Sequence, residues 1–189
     1  MKKKIVIIFI MTFALSMNSC SNPNNSKEDS NVDIQTTDNV SKEETPKTVI
    51  KEYSGLSFEI PSDAEYSEDA SCATITFEPK MKAAVIVPTN TSELDASLSD
   101  VWYTFAISSA LDGYEDVQNR KDFDMTISEA SAKAATATVK LSDSWYSLTV
   151  ISFINETSQY QYSISYLVSE NADEDNSDYE AFIKSITFN

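Results

Sequence analysis

Apolar residues recur at every second position along most of this chain, the pattern of strands with one face in a core. Leu56, Phe58 and Ile60 alternate with Ser57 and Glu59 ahead of Pro61. Residues 73–77 and 83–87 carry the same signal, with Glu78-Pro79-Lys80 as the turn between them. Further strand signals cover residues 123–127, 133–139, 145–154 and 160–168. Turns at Ser142-Asp143-Ser144 and Asn155-Glu156-Thr157-Ser158 space the last three as consecutive antiparallel hairpins. The period switches once in the middle: Leu98, Val101, Trp102, Phe105 and Ala106 fall on one face of a helix. Asp95 and Asp100 suit its positive N-terminal end, and Gly113 stops it. That face is expected to point inward, which buries Trp102 and Phe105. Near the end, Ser177 and Glu180 form a capping-box pattern that opens a short helix with Phe182 and Ile183 inward, and Ile186-Thr187-Phe188 reads as a last strand. These periods predict an α+β domain over residues 48–189, an antiparallel β-sheet flanked by helices.

Composition removes most catalytic chemistry. With no histidine, the commonest general base and zinc ligand are missing, and so are Ser-His-Asp and Cys-His arrangements. Two glycines, Gly55 and Gly113, cannot build a dinucleotide turn, a phosphate loop or a nucleophile elbow. Neither a cofactor nor a metal is therefore expected. A net charge of −16, from 30 acidic and 14 basic side chains, argues against nucleic acid as a partner.

The amino terminus reads as an address. Lys2, Lys3 and Lys4 precede an apolar run over residues 5–15, which is shorter than the roughly 20 residues a bilayer span requires. The run closes on Met17-Asn18-Ser19-Cys20, and here the segment resembles a bacterial lipoprotein signal with its lipobox. The resemblance implies that residues 1–19 are removed and that Cys20 becomes a lipidated first residue, anchoring the chain on the extracytoplasmic face of the cell membrane. An ordinary secretory signal with an incidental cysteine is the alternative. Residues 20–47 are rich in Ser, Asn, Asp, Glu and Lys, with only Val32, Ile34 and Val40 as aliphatic members from position 21 on. They are expected to form a disordered tether with a span of roughly 30 Å.

Within the domain, Glu170, Asp173, Glu174, Asp175 and Asp178 form the densest charge run. Counted from Asp173, Asp178 stands where a calcium loop needs Gly and Lys184 where it needs a bidentate Glu, so a solvated loop is expected, with weak cation binding left open. Tyr160, Tyr162, Ile164, Tyr166 and Val168 share one strand face. The three tyrosines are candidate ligand-binding residues, an aromatic platform for sugar or peptide. The competing reading makes the stripe part of the core. Cys72 lacks a neighbour to lower its pKa and reads as a small packed side chain. No S-x-x-K occurs, and no carboxylate pair is singled out by its context.

The order of elements resembles the PsbP-like α/β/α sandwich. The likeness lies in the opening Tyr53-Ser54-Gly55-Leu56-Ser57-Phe58-Glu59-Ile60-Pro61, the helix set between two groups of strands, and the closing Tyr179-Glu180-Ala181-Phe182-Ile183-Lys184-Ser185-Ile186-Thr187-Phe188. Where that family commonly has a glycine between the strands after the first helix, this chain has Ser128-Glu129-Ala130. The resemblance implies a non-catalytic accessory or binding role. The leading expectation is thus a membrane-anchored interaction module for an envelope or extracellular protein, marked by an exposed apolar patch without a pocket. A small-ligand or carbohydrate-binding component of an uptake or sensing system would show an aromatic-lined pocket, and a carboxylate hydrolase a cleft with converging acids.

Overall fold

A computed structural model describes residues 47–78, 80–92, 98–173 and 175–189. The signal segment, Cys20, residues 21–46 of the expected tether, Asp95 and Glu174 lie outside these residues.

Seven strands form the main sheet, in spatial order β3-β4-β5-β9-β8-β7-β6, with every neighbouring pair antiparallel. They are β3 (Glu65–Glu68), β4 (Ala73–Phe77), β5 (Lys82–Asn90), β6 (Asp116–Ile127), β7 (Ala130–Leu141), β8 (Ser144–Asn155) and β9 (Tyr160–Ser169). After β5 the chain passes through helix α1 (Ser99–Leu111), enters the far edge as β6, and meanders back until β9 pairs with β5 from Lys82↔Val168 to Asn90↔Tyr160. A second sheet of order β1-β2-β10 is built from β1 (Thr48–Tyr53), β2 (Leu56–Pro61) and β10 (Thr187–Phe188), with helix α2 (Ser177–Ser185) leading into its last strand.

The alternation in sequence becomes two cores, one on each face of the main sheet. On one face Ile75, Phe77, Ile86, Ile151, Phe153, Tyr162, Ile164 and Tyr166 pack against Leu56, Phe58 and Ile60 of β2 and against Tyr179 and Phe182 of α2. Phe182 is fully buried and meets the Phe58 ring edge-on at 5.3 Å. On the other face Ala135, Ala137, Val139, Leu148 and Val150 receive Ile107 and Leu111 of α1. Antiparallel sheet flanked by helices is therefore the observed architecture, as the periods predict.

The helix ends differ from expectation in detail. Ser177 is the first residue of α2 rather than its cap, and it makes no capping-box bond. The Asp175 carboxylate accepts from the Ser177 backbone N–H at 2.9 Å instead, because Asp175 leads the chain into the first turn as an Asx turn. α1 ends at Leu111, with Asp112 closing on the Ser108 carbonyl two residues before Tyr114, so Gly113 lies just beyond the cap.

Two-residue hairpin loops of type I′ need positive φ at both positions, a conformation glycine and asparagine adopt at least cost. The β1–β2 loop meets this with Ser54 at φ 48° and Gly55 at φ 84°. There the Tyr162 hydroxyl donates to the Ser54 carbonyl at 2.5 Å, and a Cβ on Gly55 would sit 3.4 Å from the Tyr162 hydroxyl oxygen. The β6–β7 loop has the same geometry without glycine: Ser128 has φ 45° and Glu129 φ 72°. Ser128 and Glu129 therefore occupy a backbone that favours glycine. Glu129→Gly is expected to stabilise the domain by about 0.5–1 kcal/mol, and Gly55→Ala to destabilise it by about 1–2 kcal/mol. Denaturant titration of the two variants checks both signs; a loss of stability in Glu129→Gly contradicts the strain.

Candidate interaction surface

Helix α1 is apolar on two sides, and this decides where the surface lies. At 100° per residue, Tyr103, Ile107, Ala110 and Leu111 line one side. Tyr103, Ile107 and Leu111 are buried, and Ala110 packs against the Ile107–Leu111 core. Leu98, Val101 and Phe105 lie on the opposite side, at 44%, 60% and 63% of full exposure. The stripe expected to point inward therefore points outward, with Phe105 solvent-exposed and Trp102 only half-buried. Spacing reveals an apolar face but not which of two such faces meets the sheet. Burial goes to the stripe containing Ile107 and Leu111, which fits over the alanines of β7.

The N-terminal end of the helix is pinned from below. The Gln161 side-chain amide, buried between β9 and β8, donates to the Trp102 carbonyl at 3.0 Å and to the Ser152 hydroxyl at 2.9 Å. On the outside, the Trp102 and Phe105 rings meet edge-on at 6.4 Å. Asp100, Val101, Thr104, Phe105 and Ser108 line a shallow, open depression along this side. Lys133 of β7 approaches Asp100 at 3.5 Å and Asp124 of β6 at 3.1 Å, so an acidic border runs from the helix to the edge strand. Among the described residues β6 pairs only with β7; it is exposed along most of its length, with a bulge between Gln118 and Lys121. Bulges and inserted charges of this kind discourage edge-to-edge pairing.

The other candidate residues take structural places. Tyr162 and Tyr166 are buried, and Tyr160 is half-buried at the margin of the same core. Tyr166 stacks on Tyr179 with ring centroids 3.7 Å apart, and its hydroxyl donates to the Asn176 side chain. The stripe is thus a core face rather than an exposed platform. Burial pushes the phenols of Tyr162, Tyr166 and Tyr179 upward, which keeps them neutral. Cys72 is half-buried beside β4, and burial together with the Asp69 charge raises its pKa, the opposite of what a nucleophilic thiol needs.

In the acidic loop, the buried Lys82 ammonium is bonded to the Asp173 carboxylate and the Asp175 carbonyl. No His, Cys, Asp or Glu cluster among the described residues has metal-binding geometry. The Asp175 carboxyl is held below the usual carboxylate range chiefly by the Ser177 backbone N–H, and that of Asp69 by the N–H groups of Ser71 and Cys72. Both are turn-forming acids. A cleft of about 160 Å³ between β2 and α2 has exposed Glu59 and Asp178 among its lining residues, with Phe182 as its floor. It is small beside the ~300–1,000 Å³ of ordinary ligand sites.

No protein-family model matches the chain, and neither does any curated protein. Among solved structures, the solution structure of cyanobacterial PsbP (CyanoP) from Synechocystis sp. PCC 6803 superposes with a TM-score of 0.52 at 13% identity, over 82% of this chain and 99% of that one. The fold is PsbP-like. A Pseudomonas aeruginosa protein of unknown function also matches, over 65% of this chain and 83% of that one, with a TM-score of 0.42 at 14% identity. Similarity at this level concerns architecture alone.

The two faces of α1 differ in what they contribute to stability. Phe105→Ser is expected to change folding stability by less than about 0.5 kcal/mol, whereas Ile107→Ala should cost about 2–4 kcal/mol. Equal losses in the two variants, measured by denaturant unfolding, would place the outer stripe in the core after all.

Proposed function

We propose that this chain is a membrane-anchored extracytoplasmic lipoprotein whose domain is a non-catalytic interaction module that docks other proteins through the outer face of α1. The observation carrying this reading is the row of Leu98, Val101 and Phe105, three large apolar side chains left in water although the helix already has a second apolar side to bury. Such patches mark contact sites on soluble domains. Supporting it from the sequence, Lys2-Lys3-Lys4, the short apolar run and the Met17-Asn18-Ser19-Cys20 lipobox supply export and an acyl anchor.

Ligand binding and hydrolysis have less behind them. The tyrosines that would make a sugar platform are packed into the core, and the carboxylates with shifted pKa values are held by backbone amides at turns rather than by a second acid. Acid–base catalysis by carboxylates rests on pairs whose environments drive their pKa values apart.

Fractionation of cells producing the full chain tests the anchor. The wild-type protein is expected with the membranes, its mature N-terminus an acylated Cys20, and Cys20→Ala is expected in the soluble fraction. An unmodified mature N-terminus, or membrane retention of Cys20→Ala, removes the lipoprotein reading.

A further inference from the structure

We infer that the partner docking on α1 presents a basic-rimmed amphipathic helix, its apolar side seated on Leu98, Val101 and Phe105 and its lysines or arginines on the acids around them. This rests on the reading of α1 as a docking face and adds the chemistry of what docks. The stripe is short: from Leu98 to Phe105 it rises about 10 Å, two turns that one face of a partner helix can cover. The helix that carries it is acidic at both ends. Asp100 stands at the start of the helix and Asp112 and Glu115 just beyond its end, while Asp122 and Asp124 border it from β6, since Asp122 lies opposite Ala135, which packs beneath α1.

The bases nearby are already engaged. Lys133 serves Asp100 and Asp124, Arg120 lies 2.9 Å from Asp122, and Lys140 lies 3.9 Å from Glu115. Asp112 has no basic partner among the described residues. Five acids, Asp100, Asp112, Glu115, Asp122 and Asp124, thus stand against these three bases, so the border keeps a net negative charge that a partner's cations would complement, which fixes register and speeds encounter.

The same charges disfavour the other occupants. Two copies joined through antiparallel α1 helices would set Asp100 of one against Asp112 of the other, in a chain of net charge −16. An anionic lipid surface would be repelled by the acidic border.

Two synthetic helical peptides with one leucine stripe, flanked either by lysines or by glutamates, provide the test when titrated into the mature full chain and followed by amide chemical shifts. The expected result is perturbation centred on residues 98–112 by the lysine peptide, weakening at least about tenfold between about 50 mM and 500 mM salt. The glutamate peptide should bind at least about tenfold more weakly, and Phe105→Ser, still folded by its unfolding midpoint, should lose the lysine peptide to the same degree. Equal binding of both peptides at α1 overturns the basic partner and leaves the docking face standing. Lysine-peptide binding that Phe105→Ser leaves intact, or that spreads over other acidic regions, overturns both. No binding, or α1 shifts caused by phosphatidylglycerol vesicles instead, overturns the basic helical partner.

Discussion

Phe182 holds the domain together from its end. It projects from the last helix into the space between the sheets, meets Phe58 of β2 at 5.3 Å and Phe77 of β4 at 6.4 Å, and is closed off by the stacked pair Tyr166 and Tyr179. Because α2 runs directly into β10, which pairs with β2, burying one phenylalanine fixes the helix, the last strand and the three-stranded sheet together. The Tyr162 hydroxyl secures the far end of that layer by holding the Ser54-Gly55 turn against β9. The loop that leads to α2 is fastened by Lys82, whose buried ammonium needs the oxygens of Asp173 and Asp175 to offset its desolvation.

The opposite face of the main sheet has its own, smaller core under α1, and one consequence concerns function. With Ile107 and Leu111 seated on the alanines of β7, and with Gln161 gripping the Trp102 carbonyl, the helix is fixed without any contribution from its outer stripe. Leu98, Val101 and Phe105 are thus not needed to seat the helix on the sheet.

The strands were legible because the cores alternate in and out: Leu56, Phe58 and Ile60, or Tyr162, Ile164 and Tyr166, are buried at every second position as the pattern requires. What the pattern missed has physical causes. β1 places Ile50 in solvent at 68% exposure and gains its strand character from pairing with β2, and β3 is a four-residue edge strand with no apolar alternation to detect. β6 extends well before Phe123 through polar residues that bury nothing and are held by their ladder to β7. The candidate site was half legible. Leu98, Val101, Trp102 and Phe105 were picked out as a stripe, but the inner stripe of Tyr103, Ile107 and Leu111 has the same spacing, and only the fit to the sheet chooses between them. The tyrosine stripe fell the other way, since alternation with serines suits a core strand as well as an exposed platform.

An exported domain that binds through a helix face predicts close neighbours at that face and nowhere else equivalent. The most direct measurement replaces Phe105 with a photoreactive benzoylphenylalanine in the full chain, irradiates intact cells, and compares cross-linking with the same probe at Ile50 and Asp143, exposed sites away from α1. The account predicts a discrete protein adduct at position 105, absent at the two control sites and suppressed when Val101→Asp is added. Equal cross-linking at all three positions, or an adduct at 105 that survives Val101→Asp, would contradict it.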